Sequence, residues 1–131
     1  MSSDVVSKAE GIINQLSKNQ RGNLHLTTSQ IRKFLAAVNG IKNRVEVWKS
    51  RMLIEGKEPK NLPPDIFNEI KFLKVKLLYQ YNRERAVREF IDKSNLLQEI
   101  DQVGIEVKKF EEFARLVEAM VAYHKYHGGR D

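Results

Sequence analysis

Residues 27–52 read TTSQIRKFLAAVNGIKNRVEVWKSRM. Apolar side chains stand at Ile31, Phe34, Val38, Ile41, Val45, Trp48 and Met52, in alternating steps of three and four. On a helix of 3.6 residues per turn this spacing keeps all of them on one side for about six turns. The start of the helix is also written out. Thr27 followed three positions later by Gln30 makes a capping box, and Leu26 and Ile31 have the spacing of a hydrophobic staple. A long helix over 28–55 is therefore expected, and its single apolar stripe requires other helices to cover it. Gly40 costs about 1 kcal/mol relative to Ala inside a helix, so it is expected to mark a bend or the close approach of a backbone.

The flanking sequence continues in the same period. Val5, Val6, Ala9, Ile12, Ile13 and Leu16 predict an N-terminal helix over 3–18 with Ser3 as cap, joined to the long helix by the polar link 19–26. Beyond the long helix, the stretch 56–65 holds Pro59, Pro63 and Pro64 and is expected to be a surface loop, the segment best placed to move. A helix over 65–82 follows, with Ile66, Ile70, Leu73, Leu77 and Tyr81 on one face. Phe72, Val75 and Tyr79 form a second apolar face, which calls for a cover: a central position, the N-terminal helix of the same chain, or a partner. Ala86, Val87, Phe90, Ile91 and Leu97 predict a helix over 83–99, with Glu84–Arg88 and Glu89–Lys93 in the favourable acid-first order at i,i+4. Gly104 interrupts the pattern before a last helix over 106–127, built on Phe110, Phe113, Ala114, Val117, Met120, Val121 and His124, with Glu111 set for Arg115. Gly128 and Gly129 end it. No repeat of 20–50 residues and no low-complexity segment is present. The expectation is all-α: a single-domain helical bundle of about five helices spanning 1–131.

Composition removes several classes of chemistry. With no cysteine there is no disulfide, thiolate zinc site or cysteine nucleophile. Residues 1–18 lack the apolar core of a signal peptide, and no apolar run approaches the ~20 residues that span a bilayer. A cytoplasmic protein with no membrane partner is expected. No Gly-rich phosphate loop, nucleophile elbow or divergent acid pair is present, so the expectation is no enzyme, no cofactor and no catalytic residue. His124 and His127 are three apart on a helix, but no third ligand accompanies them, and the period of Tyr123 and His124 matches core packing.

Charge carries the positive signal. Between Lys18 and Arg51 eight basic residues face one acid, Glu46, giving +7; the remaining 15 basic and 16 acidic residues give −1. The formal net charge of +6 is thus local to one segment. Such a stripe is suited to phosphate, because neutralising phosphates releases condensed counterions. At about 100° per residue, Lys33, Arg44 and Arg51 fall together on the face away from the apolar stripe, with Arg32, Lys42 and Lys49 on its flanks. A DNA-reading helix-turn-helix needs a short recognition helix after a tight turn, which is not the pattern here. Single-strand binders stack bases on exposed aromatics, whereas Phe34 and Trp48 belong to the core stripe. Contact with a nucleic-acid backbone suits this surface best; a helical adaptor for acidic proteins, with no nucleic-acid role, is the alternative.

Three segments together resemble the small subunit of type III-A CRISPR effectors, the Csm-complex small subunit. They run from Leu26 to Phe34, from Leu73 to Arg83, and from Glu118 to Gly129. The family pattern has a proline where Val75 stands, so Val75 lets the helix run on, and a glycine where Asn82 stands, which keeps tolerance of a left-handed turn. The resemblance implies a non-catalytic RNA-binding subunit, present in several self-associating copies against the duplex of guide (CRISPR) RNA and target RNA. It also implies the large subunit and the repeated backbone subunits as partners. On that reading Arg32, Lys33, Lys42, Arg44, Lys49, Arg51, Lys76 and Arg83 are the expected RNA-backbone contacts, and Phe72, Val75 and Tyr79 the expected protein interface.

Overall fold

A computed structural model describes residues 4–130. It contains six helices: α1 (Val5–Asn14), α2 (Thr28–Ile54), α3 (Pro64–Tyr81), α4 (Arg85–Ser94), α5 (Leu96–Val103) and α6 (Val107–Tyr126). Among the described residues there is no strand, only two isolated bridges. The architecture is a single all-α domain.

α2 begins as its sequence dictates. Thr27 Oγ1 accepts from the Gln30 amide at 3.1 Å, and Gln30 Oε1 accepts from the Thr27 amide at 2.8 Å, which satisfies two donors that the first turn leaves open. Leu26 and Ile31 are both buried. The helix then runs without a break through Gly40, where nothing lies within 4 Å of the space a Cβ would occupy. Among the described residues no close approach of another backbone explains this glycine.

α6 is the central element, packed chiefly against α1 on one side and α2 on the other. This double contact explains why it buries Leu116 in addition to Phe110, Phe113, Ala114, Val117 and Met120. Phe34 of α2 meets Phe113 of α6 edge to face, with ring centroids 6.4 Å apart. α3 packs on α2, α4 and α5.

Two boundaries differ from the sequence expectation. The helix expected over 83–99 is two, divided at Asn95, the one described non-glycine residue with positive φ (52°). Asn tolerates this left-handed conformation, and the turn it makes lets Leu96 and Ile100 swing inward. Ser94 Oγ donates to the Phe90 carbonyl at 2.6 Å, which satisfies the hydroxyl of this buried residue. Asn82, by contrast, is right-handed at φ −88°, so the tolerance of a left-handed turn that it offers is not used there. The N-terminal helix expected to reach residue 18 stops at Asn14, because Ser17 turns to other partners: its amide and hydroxyl donate to Glu89, and its carbonyl accepts from His25. Ser3, the expected cap, lies outside the described residues; Asp4 accepts from the amides of Val6 and Ser7.

The charge pairs also differ. Among the described residues Glu89 and Glu111 do not pair along their own helices: Glu89 receives Ser17, and Glu111 receives Lys49. The proline-containing loop is fastened in its second half. Leu62 is buried, its amide donates to Ile105, and the Lys60 carbonyl accepts from Val107.

Candidate nucleic-acid interface

The eight cations expected to meet RNA divide into three groups. Arg44 and Lys49 are joined to acids within the fold. The Arg44 guanidinium binds Asp65 at 2.8 Å and also Glu69, tying α2 to the start of α3. Lys49 donates to Glu111 at 2.6 Å, tying α2 to α6 on the other side. That hydrogen bond holds the Lys49 ammonium above its usual pKa of 10.5, against an opposing cost of burial. These two residues stabilise the helix arrangement, and their charge is largely compensated.

A second group surrounds an apolar groove. Lys33 of α2 and Lys76 of α3 line a groove of about 410 Å³ whose walls include Phe34, Phe72, Val75 and Tyr79. Arg83 belongs here as well. Its guanidinium donates to the Tyr79 hydroxyl at 2.7 Å and lies 5.0 Å from the ring centre. The three expected interface residues Phe72, Val75 and Tyr79 are 53%, 50% and 63% exposed. α1 does not cover them, since it packs on α6. Ala37 also lines the groove where α2 passes α3.

Arg32, Lys42 and Arg51 form the third group. All are exposed and, among the described residues, none makes an ion pair. Arg51 sits in the last turn of α2, where the helix dipole favours a cation, and it borders a shallow depression with Val47, Trp48 and Pro63. With Glu46 the only acid on α2, the exposed side of this helix keeps a positive field.

The N-terminus of α2 is held from the other end of the chain. His124 of α6 is fully buried, and its Nε2 donates to the Leu26 carbonyl at 2.5 Å. Burial pushes the imidazole below its usual pKa of 6.5, the Leu26 hydrogen bond opposes this, and neighbouring Lys125 adds to it. The tail then crosses the same link: Gly128 accepts from the Leu24 amide at 3.2 Å, and Arg130 from the Thr28 amide at 3.0 Å. Gly129 lies so close to the imidazole that a Cβ there would overlap it. The segment Glu118–Gly129 thus fixes where the basic helix begins.

A basic long helix opened by a capping box and held by a C-terminal histidine is a constellation that comparison with known proteins can test. The family model described as Csm2 Type III-A matches residues 2–130. The chain belongs to the Csm2 family of type III-A CRISPR systems. A curated relative from Streptococcus thermophilus, "CRISPR system Cms protein Csm2", is 36% identical over 96% of this chain and 93% of its own length. The protein of the same name from Mycobacterium tuberculosis is 30% identical over 98% of this chain and 94% of its own length. The Enterococcus italicus protein is 33% identical over 78% of this chain and 68% of its own. The chain is accordingly a small subunit of a type III-A effector, and other Csm subunits are its partners. Among the described residues no helix is long and apolar enough to cross a membrane.

Proposed function

We propose that this subunit binds the guide RNA and target RNA of its effector through their sugar-phosphate backbones, without reading bases and without catalysing a reaction. The observation that carries this reading is that Arg32, Lys42 and Arg51 are exposed and make no ion pair among the described residues, on a helix with one acid. Exposed guanidinium and ammonium groups of this kind position a nucleic acid through phosphate oxygens and carry no sequence information. Lys33 and Lys76 line the neighbouring groove, whereas Arg44 and Lys49 hold α3 and α6 against α2. Copies set side by side along an RNA duplex would join these short basic surfaces into a continuous track.

The test is fluorescence anisotropy of the purified chain with unrelated single-stranded RNA, RNA duplex and DNA duplex across a salt series. The expected result is sequence-independent RNA binding that weakens steeply with salt. It should disappear in an Arg32→Glu, Lys42→Glu, Arg51→Glu variant that retains wild-type helicity. Binding unchanged in that variant, or absent at low salt in the parent chain, refutes the reading. RNA retention by the whole effector carrying the variant, together with loss of assembly, would establish the adaptor role instead.

A further inference from the structure

The groove between α2, α3 and the start of α4 has no occupant among the described residues. Leu26, Phe34, Leu77 and Phe90 give it a buried apolar floor, while Phe72 and Tyr79 stand at its edge half or more exposed. Exposed aromatics beside a concave apolar floor are the usual composition of a docking surface. Tyr79 is held for this purpose by Arg83, which bonds its hydroxyl and covers its ring, so little side-chain freedom remains to be lost on binding.

Shape and charge restrict what fits. The groove follows α3 from Phe72 to Gln80, a length of about 12 Å at 1.5 Å per residue. That is the span of two turns, the reach of anchors at i, i+3 or i+4, and i+7 on a helix. No sheet edge is present among the described residues to pair with an extended peptide. Lys33 and Lys76 border the groove from opposite helices, and among the described residues neither makes an ion pair. The one acid in the lining, Glu84, stands against two lysines, so the rim as a whole is positive.

We propose that the groove receives an amphipathic helix from another subunit of the effector, apolar on the face that enters and acidic along the edges that meet Lys33 and Lys76. The proposal rests on membership in a multisubunit effector and not on the RNA reading. Aromatic anchors supply the affinity, and the two lysines select the acidic partner and its orientation.

Photocrosslinking in the assembled effector tests this directly. A benzophenone amino acid at Phe72, and separately at Tyr79, would be irradiated and its adducts mapped by mass spectrometry. The expected adducts lie on an acid-rich helical segment of a different subunit. Their yield should fall about tenfold when Lys33→Glu and Lys76→Glu are added, and far less with Lys33→Gln and Lys76→Gln. Adducts to a second copy of this chain, to RNA, or to a segment without acidic residues overturn the proposal, as does the absence of adducts. The Arg32, Lys42, Arg51 variant separates the two readings: RNA binding lost with crosslinks retained supports both, and RNA binding unchanged with crosslinks retained refutes only the RNA role.

Discussion

α2 makes two seams with the rest of the fold, and they finish differently. The seam with α6 is sealed from end to end: His124 bonds Leu26 at one end, Phe34 meets Phe113 within, and Lys49 bonds Glu111 at the other end. The seam with α3 is closed at one end by Arg44 with Asp65 and Glu69, but at the other it opens into a groove with aromatic walls. Both seams draw on the same kinds of residue. The contrast shows that apolar content alone does not identify the core; Phe34 and Phe72 differ because α6 covers one and, among the described residues, nothing covers the other.

That contrast can be broken by substitution. Phe113→Ala, in the sealed seam, is expected to cost about 3–5 kcal/mol, read by urea denaturation, because it removes a buried ring and leaves a cavity. A loss below about 1 kcal/mol would mean that the seam is looser than its geometry implies. His124→Leu should cost about 1–3 kcal/mol, since it leaves the buried Leu26 carbonyl without its donor.

The same histidine predicts a pH dependence. Its folded-state pKa lies below 6.5, so the unfolded chain binds the proton more tightly. Its contribution is therefore fully present above pH 6.5 and is lost as pH falls below that value toward the folded pKa. Thermal melts between pH 7.5 and 5 should show the midpoint fall, with a smaller slope in the His124→Leu protein. Equal slopes would assign the effect to other groups.

Lys49 with Glu111 should be worth about 0.5–1 kcal/mol in a double-mutant cycle, because both side chains are partly covered. The raised Lys49 pKa places that contribution below pH 10.5 and removes it as pH rises through the folded value. A coupling of zero would leave the far end of the sealed seam to packing alone. The smallest effect is expected in the open seam: Phe72→Ala should change the stability of the isolated chain by no more than about 0.5 kcal/mol, its ring being 53% exposed. A cost near that of Phe113→Ala would show that the groove is closed in solution.

Much of the fold is legible in the sequence because it depends on local periodicity and capping. The apolar stripe of α2 and the Thr27–Gln30 box each act within a few residues of their own backbone. The division at Asn95 is not legible in that way. Apolar residues continue in helical period across it, and only the need to turn Leu96 and Ile100 inward makes the left-handed residue necessary. The charge stripe is equally plain in the sequence, but what each cation does is not. Arg44 and Lys49 look like Arg51 in one dimension, yet α3 and α6 bring acids to the first two and, among the described residues, none to the third.

By itself, then, the sequence determined the helices, their apolar faces, the basic character of α2 and the family resemblance, since each is set by residue type and short-range spacing. Only the tertiary structure decided which cations remain free, that His124 fastens the start of α2, and that Phe72, Val75 and Tyr79 border an open groove. Those outcomes depend on contacts between residues dozens of positions apart, such as Leu26 and His124, where the packing of one helix on another fixes which groups are covered and which meet solvent.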